Sequence, residues 1–403
     1  MIDLHLFEFP LSLALTIVFL LCIVGLRKTP VAAFFGHRTF SSVLMAVIAV
    51  MMAVEGTWAF RLFHHWTFVM LILLALISIG FAAVSDWKRK SYCALMSHSG
   101  LFLVLSGGLF GAPDVIESQI TVFSDGQEQC LACNAEGYSV QLPFSIMLKD
   151  FSIDYYEDGE SPKQYTSCLS IDGRQLRTSV NHPCRYRGYR IYQSGYDARA
   201  GHYSTLELVR DPWLPVLAAG ALLLVLSAIL SLKKTWKSWK MLIAALVLAA
   251  VFTVVSVAGI SFGTLPPALR SLWFVPHLIV YMLAYAVMAL SVITGLASLV
   301  SDRIPEHLSG KLLSTASSLL LIGMLCGAVW AQQAWGSYWT WDAKECWAAV
   351  TWLLTLAGMH LPKKKAMLLF IVLAFLAIQV TWYGVNYLPS SAQSLHTYNQ
   401  NLF

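Results

Sequence analysis

Apolar residues occur in this chain in blocks long enough to leave water altogether. Ten such stretches lie near 10–26, 41–57, 66–85, 93–111, 212–232, 241–260, 276–300, 313–331, 347–361 and 366–384. Most reach the roughly 17–25 residues with which a helix crosses about 30 Å of hydrocarbon, so the pattern predicts about ten transmembrane helices. The second and ninth are short or interrupted by Glu, Trp or Gly. Between the fourth and fifth the periodicity changes. Over about 112–211, "YSVQLPFSIML" and "YRGYRIYQSGYD" mix β-branched and aromatic residues with polar ones, broken by the turn signals "EDGESP", "DGRQ" and "NHPC". These features predict a small β-rich domain hung between helices 4 and 5.

Composition agrees. Of 403 residues, 57% are hydrophobic and 12% charged, which excludes an ordinary water-soluble domain and fits a polytopic α-helical membrane protein. Charge then sets an orientation. One set of alternate connections carries Arg27, Lys28, Arg38, Lys88, Arg89, Lys90, Lys233, Lys234, Lys237, Lys240, Arg303, Lys311, Lys363, Lys364 and Lys365, and the opposite short connections carry Arg61, Arg270 and Lys344. The basic set is expected in the cytoplasm, with both termini and the β domain outside. This asymmetry accounts for much of the net charge of +5, so no nucleic-acid partner is implied. "MIDLHLFEFP" lacks the basic leading region of a secretory signal peptide.

Eight cysteines divide by environment. Cys22, Cys93 and Cys326 lie in spans as small apolar residues, and Cys346 stands at a membrane edge. Cys130, Cys133, Cys168 and Cys184 fall in the β domain, where an oxidising compartment would permit any of three disulfide pairings. "CLAC" (130–133) has the spacing of a thiol-exchange pair, although structural bridging is the favoured expectation.

Histidines supply the candidate chemistry, because ionisable groups at membrane depth are costly. His98 lies about five residues, roughly 7 to 8 Å of helix rise, inside the basic end of the fourth span, and His360 ends the ninth span on that same side. His277 opens the seventh span at its outer end, and His396 follows the tenth outside. Two imidazoles at one depth on separate helices are what axial ligation of a haem iron needs, and here the arrangement occurs near each leaflet. His64 and His65 read as interfacial; His5, His37, His182, His202 and His307 read as solvated.

The outer pair flanks "WGSYWTWDAKECW" (335–347), where Trp335, Tyr338, Trp339, Trp341 and Trp347 enclose Asp342, Lys344 and Glu345. An interfacial aromatic belt has no reason to embed three charges among its indoles. This segment resembles the tryptophan-rich WWD signature of the haem-handling proteins of cytochrome c maturation. With "VPHLIVYMLAYA" and "GVNYLPSSAQSLHTY" it resembles the CcsA (ResC) branch, while "EGTWAF", "HHWTFVMLILLALISIG", "SHSGLFLVLSGGLFG" and "YRGYRIYQSGYDARAGHYSTLELVRDPW" resemble the CcsB (ResB) partner. The resemblance covers nearly the whole chain. It implies a fused System II cytochrome c synthase, with a CcsB-like part at 1–232 and a CcsA-like part at 233–403.

By the same resemblance, His277 and His396 match the outer haem-holding histidines, and His98 and His360 the pair that ligates a second haem inside the membrane. Trp335, Gly336, Trp339, Trp341, Asp342, Lys344, Glu345 and Trp347 fall on the signature, and Tyr338 lies within it. Catalytic roles are expected for His277, His396, Trp339, Trp341 and Asp342. Two departures stand out: Ala343 occupies a position where the family usually has Pro, and the β domain is short.

The implied activity is that of a lyase in a bacterial inner membrane, acting on the extracytoplasmic side. It would move haem b, held at two sites, and add the thiols of an apocytochrome Cys-x-x-Cys-His segment across the haem vinyl groups. Its partners would be the apocytochrome, thiol-reducing proteins and the lipid bilayer. The rival readings are a haem exporter without ligase activity and a bis-haem electron carrier.

Overall fold

The computed structural model describes residues 8–197, 202–235, 264–305 and 307–393, with isolated helical positions at 243, 247 and 251. The helices are α1 (Leu11–Gly25), α2 (Pro30–Phe35), α3 (Arg38–Trp58), α4 (Trp66–Arg89), α5 (Tyr92–Phe110), α6 (Leu214–Thr235), α7 (Phe274–Ala297), α8 (His307–Trp335), α9 (Ala343–His360) and α10 (Lys364–Trp382). Among the described residues, eight helices are long and apolar enough to cross a membrane, which bears out a polytopic membrane protein. The predicted ninth span is α9, an 18-residue helix whose Lys344, Glu345 and His360 keep it out of that set. The predicted sixth, 241–260, lies outside the described residues apart from three positions.

A small cluster of Leu224, Ala228 and Leu321 joins α6 to α8, and two large clusters of buried side chains hold the helices. One joins α7, α8 and α10 through Met282, Met288, Leu313, Leu320, Ile371 and Ile378. The other reaches across the chain, setting Leu44, Ile48, Met52, Phe68 and Leu76 of α3 and α4 against Ala349 and Val350 of α9. The α3–α9 crossing is close because Gly56 has no side chain: a Cβ there would stand 2.7 Å from the Cβ of Cys346. Small residues permit such crossings in lipid, where close van der Waals packing drives association.

The β domain is one antiparallel sheet in the order β5-β4-β3-β2-β1-β8-β7-β6. Its strands are β1 (Ile116–Phe123), β2 (Gln129–Asn134), β3 (Ser139–Tyr155), β4 (Pro162–Ile171), β5 (Arg174–Ser179), β6 (Cys184–Tyr186), β7 (Tyr189–Tyr196) and β8 (Tyr203–Arg210). Alternate positions Leu142, Phe144, Ile146 and Leu148, with Ile120, Val122, Leu206 and Leu208, point into one core. The sheet curls until its flanks touch, with Ser167 of β4 donating to Gln193 of β7 at 2.6 Å and Thr178 of β5 to the Ile191 carbonyl at 2.7 Å.

Polar contacts tie the sheet to the helices. Asp114, after α5, accepts from the Trp213 indole at 2.6 Å, the Ser12 hydroxyl at 2.7 Å and the Phe9 amide at 2.7 Å, so one buried carboxylate gathers α1, α5 and α6. The segment before α7 is strapped on as well: Asn181 donates to the Pro267 carbonyl at 2.8 Å, and Tyr156 to that of Leu265 at 3.0 Å.

All eight cysteines are free thiols, which corrects the expectation of structural bridging. Cys130 and Cys133 lie three residues apart on the one strand β2, about 10 Å of extended chain, beyond the span of a disulfide.

Candidate functional site

Between the N-terminal helices and α8–α9 lies a cavity of about 2440 Å³. Small-ligand pockets run from about 300 to 1,000 Å³, so its size is that of a passage. At one end, where the connections are basic, it is lined by Arg27, Arg38, Lys88, Arg89, Lys234, Lys311 and Lys364 together with His98 and His360. Ile48, Met52, Leu101, Leu105, Trp352 and Leu353 line its middle. Glu117, Arg190, Asp211, Tyr338, Trp339 and Trp341 line it at the sheet end.

His98 and His360 are held alike. The Nδ1 of His98 is 2.6 Å from Oδ2 of Asp86, and the Nδ1 of His360 is 2.8 Å from the Leu356 carbonyl one turn back in α9. Carboxylates and carbonyls only accept, so each ring donates through Nδ1 and keeps the lone pair of its neutral form on Nε2. The two lie within electrostatic reach of each other. His277 follows the same rule, its Nδ1 lying 2.8 Å from the Gly323 carbonyl of α8.

The tryptophan-rich loop splits into two groups. Trp335 packs on Trp330 at 5.3 Å, which lies 5.9 Å from the ring of His277. Trp339 and Trp341 turn the other way: Trp341 stacks on Phe63 at 4.0 Å and meets Phe68 edge-on at 5.4 Å. Phe63 is aimed by Glu55, whose carboxylate accepts from the amides of Arg61 at 3.1 Å and Leu62 at 2.9 Å and so turns the chain after α3.

The charged residues of the loop build its shape. Asp342 caps α9 by accepting from the Glu345 amide at 2.9 Å, while Glu345 accepts from the Thr340 amide at 2.6 Å. Trp341 between them is held at φ +61°, a left-handed conformation that costs a large side chain energy and persists only where its surroundings fix it. The sheet clamps the other side. Gln332 donates to the Tyr192 hydroxyl, Arg190 to that of Tyr338 at 3.4 Å, and Gly336, at φ +88°, passes so close to Tyr192 and Val209 that a Cβ would meet them at 3.2 and 3.0 Å. Burial pushes the Tyr192 and Tyr338 phenols up, so both stay neutral.

Of the residues expected from sequence, His98, His360, Gly336, Tyr338, Trp339 and Trp341 line the cavity. His277, Trp335, Asp342, Lys344, Glu345 and Trp347 stand behind or beside it, and His396 lies outside the described residues. Three residues were not foreseen: Asp86, Arg190 and Trp352. The indole nitrogens of Trp339 and Trp352 are buried and have no hydrogen-bond partner among the described residues. A cavity that holds such orphaned donors along its length and a pair of Nε2-presenting imidazoles at its basic end fits a flat metal macrocycle that carries carboxylates.

The comparisons with known proteins divide the chain in two. The ResB-like family matches residues 88–203, and the cytochrome C assembly protein family matches 213–392. Over 182 residues, 34% of this chain and 59% of the relative, it is 31% identical to the cytochrome c biogenesis protein CcsA of Synechococcus sp. (strain CC9605). Identity to the protein of that name from Pyropia yezoensis is 42% over 100 residues, 23% of this chain and 30% of the relative. For that of Chlamydomonas reinhardtii it is 31% over 153 residues, 33% and 42%. The chain thus spans less than two thirds of the length of these relatives. The second match begins at Trp213, whose indole is bonded to Asp114 within the first, so the two regions share their buried anchor. A ResB-like region and a cytochrome c assembly region thus follow one another in a single polypeptide, an arrangement consistent with a fused CcsB–CcsA protein.

Proposed function

We propose that this chain matures c-type cytochromes, carrying haem across a bacterial inner membrane and attaching it to an apocytochrome on the outer side. One observation carries the reading: a single cavity joins the basic end, where His98 and His360 each present Nε2, to the indoles of Trp339 and Trp341 at the sheet end. The basic end is the cytoplasmic one, by the rule that Lys and Arg stay inside.

On this reading His98 and His360 take haem b from the inner leaflet, with the cations around them drawing its propionates. Apolar side chains of α3, α5 and α9 line its path outward. At the outer site Trp339 and Trp341 fix the ring plane, Trp335 backs His277, and His277 with His396 supplies the axial nitrogens. Lys344, Glu345, Trp347 and Asp342 hold the loop that shapes the site, while Gly336 and Tyr338 seat it under the sheet. The apocytochrome Cys-x-x-Cys-His segment then meets the exposed vinyl edge. Each thiol sulfur bonds one vinyl carbon and its hydrogen ends on the other, so the reaction is an addition that consumes no oxidant. It needs the client cysteines reduced, which assigns thiol-reducing proteins a place beside it. Positioning of two reactants in a dry site supplies the rate.

Coexpression with a c-type cytochrome in a host stripped of its own maturation genes tests the proposal. Covalent haem on the client is expected, lost when His277 or His396 is replaced by Ala. Haem that appears only in the membrane protein, with the client unmodified, would leave an exporter or electron carrier in its place.

A further inference from the structure

We infer that Asp86 is a positioning residue for the inner haem site, turning the His98 imidazole and strengthening it as an iron ligand. The inference rests on the reading of His98 and His360 as axial ligands and assigns a role to a residue that this reading does not need.

The observation is a contact between helices. Asp86 lies in the last turn of α4 and His98 in α5, and their side chains meet at 2.6 Å while only 13% and 25% exposed. Nothing local accounts for a carboxylate at that position. The C-terminus of a helix is the negative end of its dipole, where an acid is disfavoured. Lys88, Arg89 and Lys90 follow directly, yet among the described residues the Asp86 carboxylate pairs with His98. Asp86 is also the one described carboxylate lining the basic end of the cavity, the other acids of the lining, Glu117 and Asp211, being at the sheet end.

The chemistry of the contact is specific. The carboxylate can only accept, so it fixes His98 as the Nδ1–H tautomer with Nε2 toward the cavity. Its negative charge makes the imidazole a stronger donor to a metal, as carboxylate partners of ligating histidines do. His360 has only a backbone carbonyl in the equivalent place. The two ligands are therefore unequal, His98 the stronger and His360 the one that releases first. A stronger donor favours ferric over ferrous iron, so Asp86 lowers the reduction potential of haem held there.

The test uses the full-length protein purified in detergent with its endogenous haem, comparing wild type with Asp86→Asn, Asp86→Ala, Asp86→Glu and His98→Ala. Asp86→Asn keeps an acceptor of the same shape and removes the charge. It should retain a low-spin spectrum with a raised reduction potential. Asp86→Ala removes the orientation as well, and haem retention should fall by about 10- to 100-fold. Asp86→Glu should restore part of both. If Asp86→Asn and Asp86→Ala keep the wild-type potential and retention while His98→Ala loses the haem, the contact only pairs polar groups across α4 and α5 and the inference fails. If His98→Ala leaves the spectrum intact, the reading of the inner ligands fails, and this inference with it.

Discussion

At the scale of single residues, the acids of the site do structural work for the rings around them. Asp342 caps α9 and Glu345 pins Thr340, and between them they hold Trp341 in its left-handed conformation. Asp342→Ala should cost at least about 1 kcal/mol, with Asp342→Asn close to wild type, as read by thermal unfolding in detergent. A second prediction concerns the sheet. Burial first, and then the neighbouring Glu117, raise the carboxyl of Glu207 from 4.5 to about 7. The folded domain therefore binds a proton that the unfolded chain has lost between those values, and stability falls as pH rises from 4.5 to about 7, then levels off. Glu207→Gln should remove that slope and stabilise the domain above pH 7 by on the order of 1 kcal/mol, since the group is only half-buried and solvent screens it. Melting curves at pH 5 and 8 decide it. The histidines could be found from sequence because imidazoles in apolar runs are conspicuous. Asp86 could not, because it stands in a basic stretch twelve positions from its partner and only helix packing brings them together. Trp352 could not either, since an indole in an apolar helix reads as filling.

At the scale of elements, hydrophobic period and turn chemistry carried most of the information. Nine of the predicted spans coincide with helices, and the predicted β domain is an eight-stranded sheet. The ninth span was the hardest to read because α9 serves two environments, with polar groups at both ends for the loop and for His360. The split of the tryptophan-rich loop was not legible at all. Trp335, Trp339 and Trp341 are near in sequence, and residues distant from them divide the group: Trp335 packs on Trp330, while Trp341 stacks on Phe63, which follows the turn held by Glu55. The α3–α9 crossing offers a test of that arrangement. Gly56→Leu puts a side chain where the Cβ alone would be 2.7 Å from Cys346 and 3.1 Å from Trp347. It should destabilise the protein by about 1–3 kcal/mol and shift the tryptophan fluorescence, whereas Ser124→Leu, on an exposed turn of the sheet, should do neither.

At the scale of the whole molecule, one cavity with chemically different ends is the property that no single stretch of sequence contains. Its walls come from α3, α4 and α5 and from α6, α8 and α9. Leu105, two turns beyond His98 in α5, lines the way between the ends. If the chain works as proposed, Leu105→Trp should leave haem bound at the inner histidines while lowering covalent product in the coexpression assay by tenfold or more. Loss of the inner haem and the product together would instead mean general misfolding, and unchanged product would mean that haem takes another path.

Because that cavity exists only where the helices before the sheet face those after it, synthesis as one chain fixes the stoichiometry of the two halves at one to one. Two separate polypeptides would have to search the plane of the bilayer for each other, and any unmated half would offer its side of the passage to lipid. Continuity of the backbone replaces that search by a local encounter at high effective concentration.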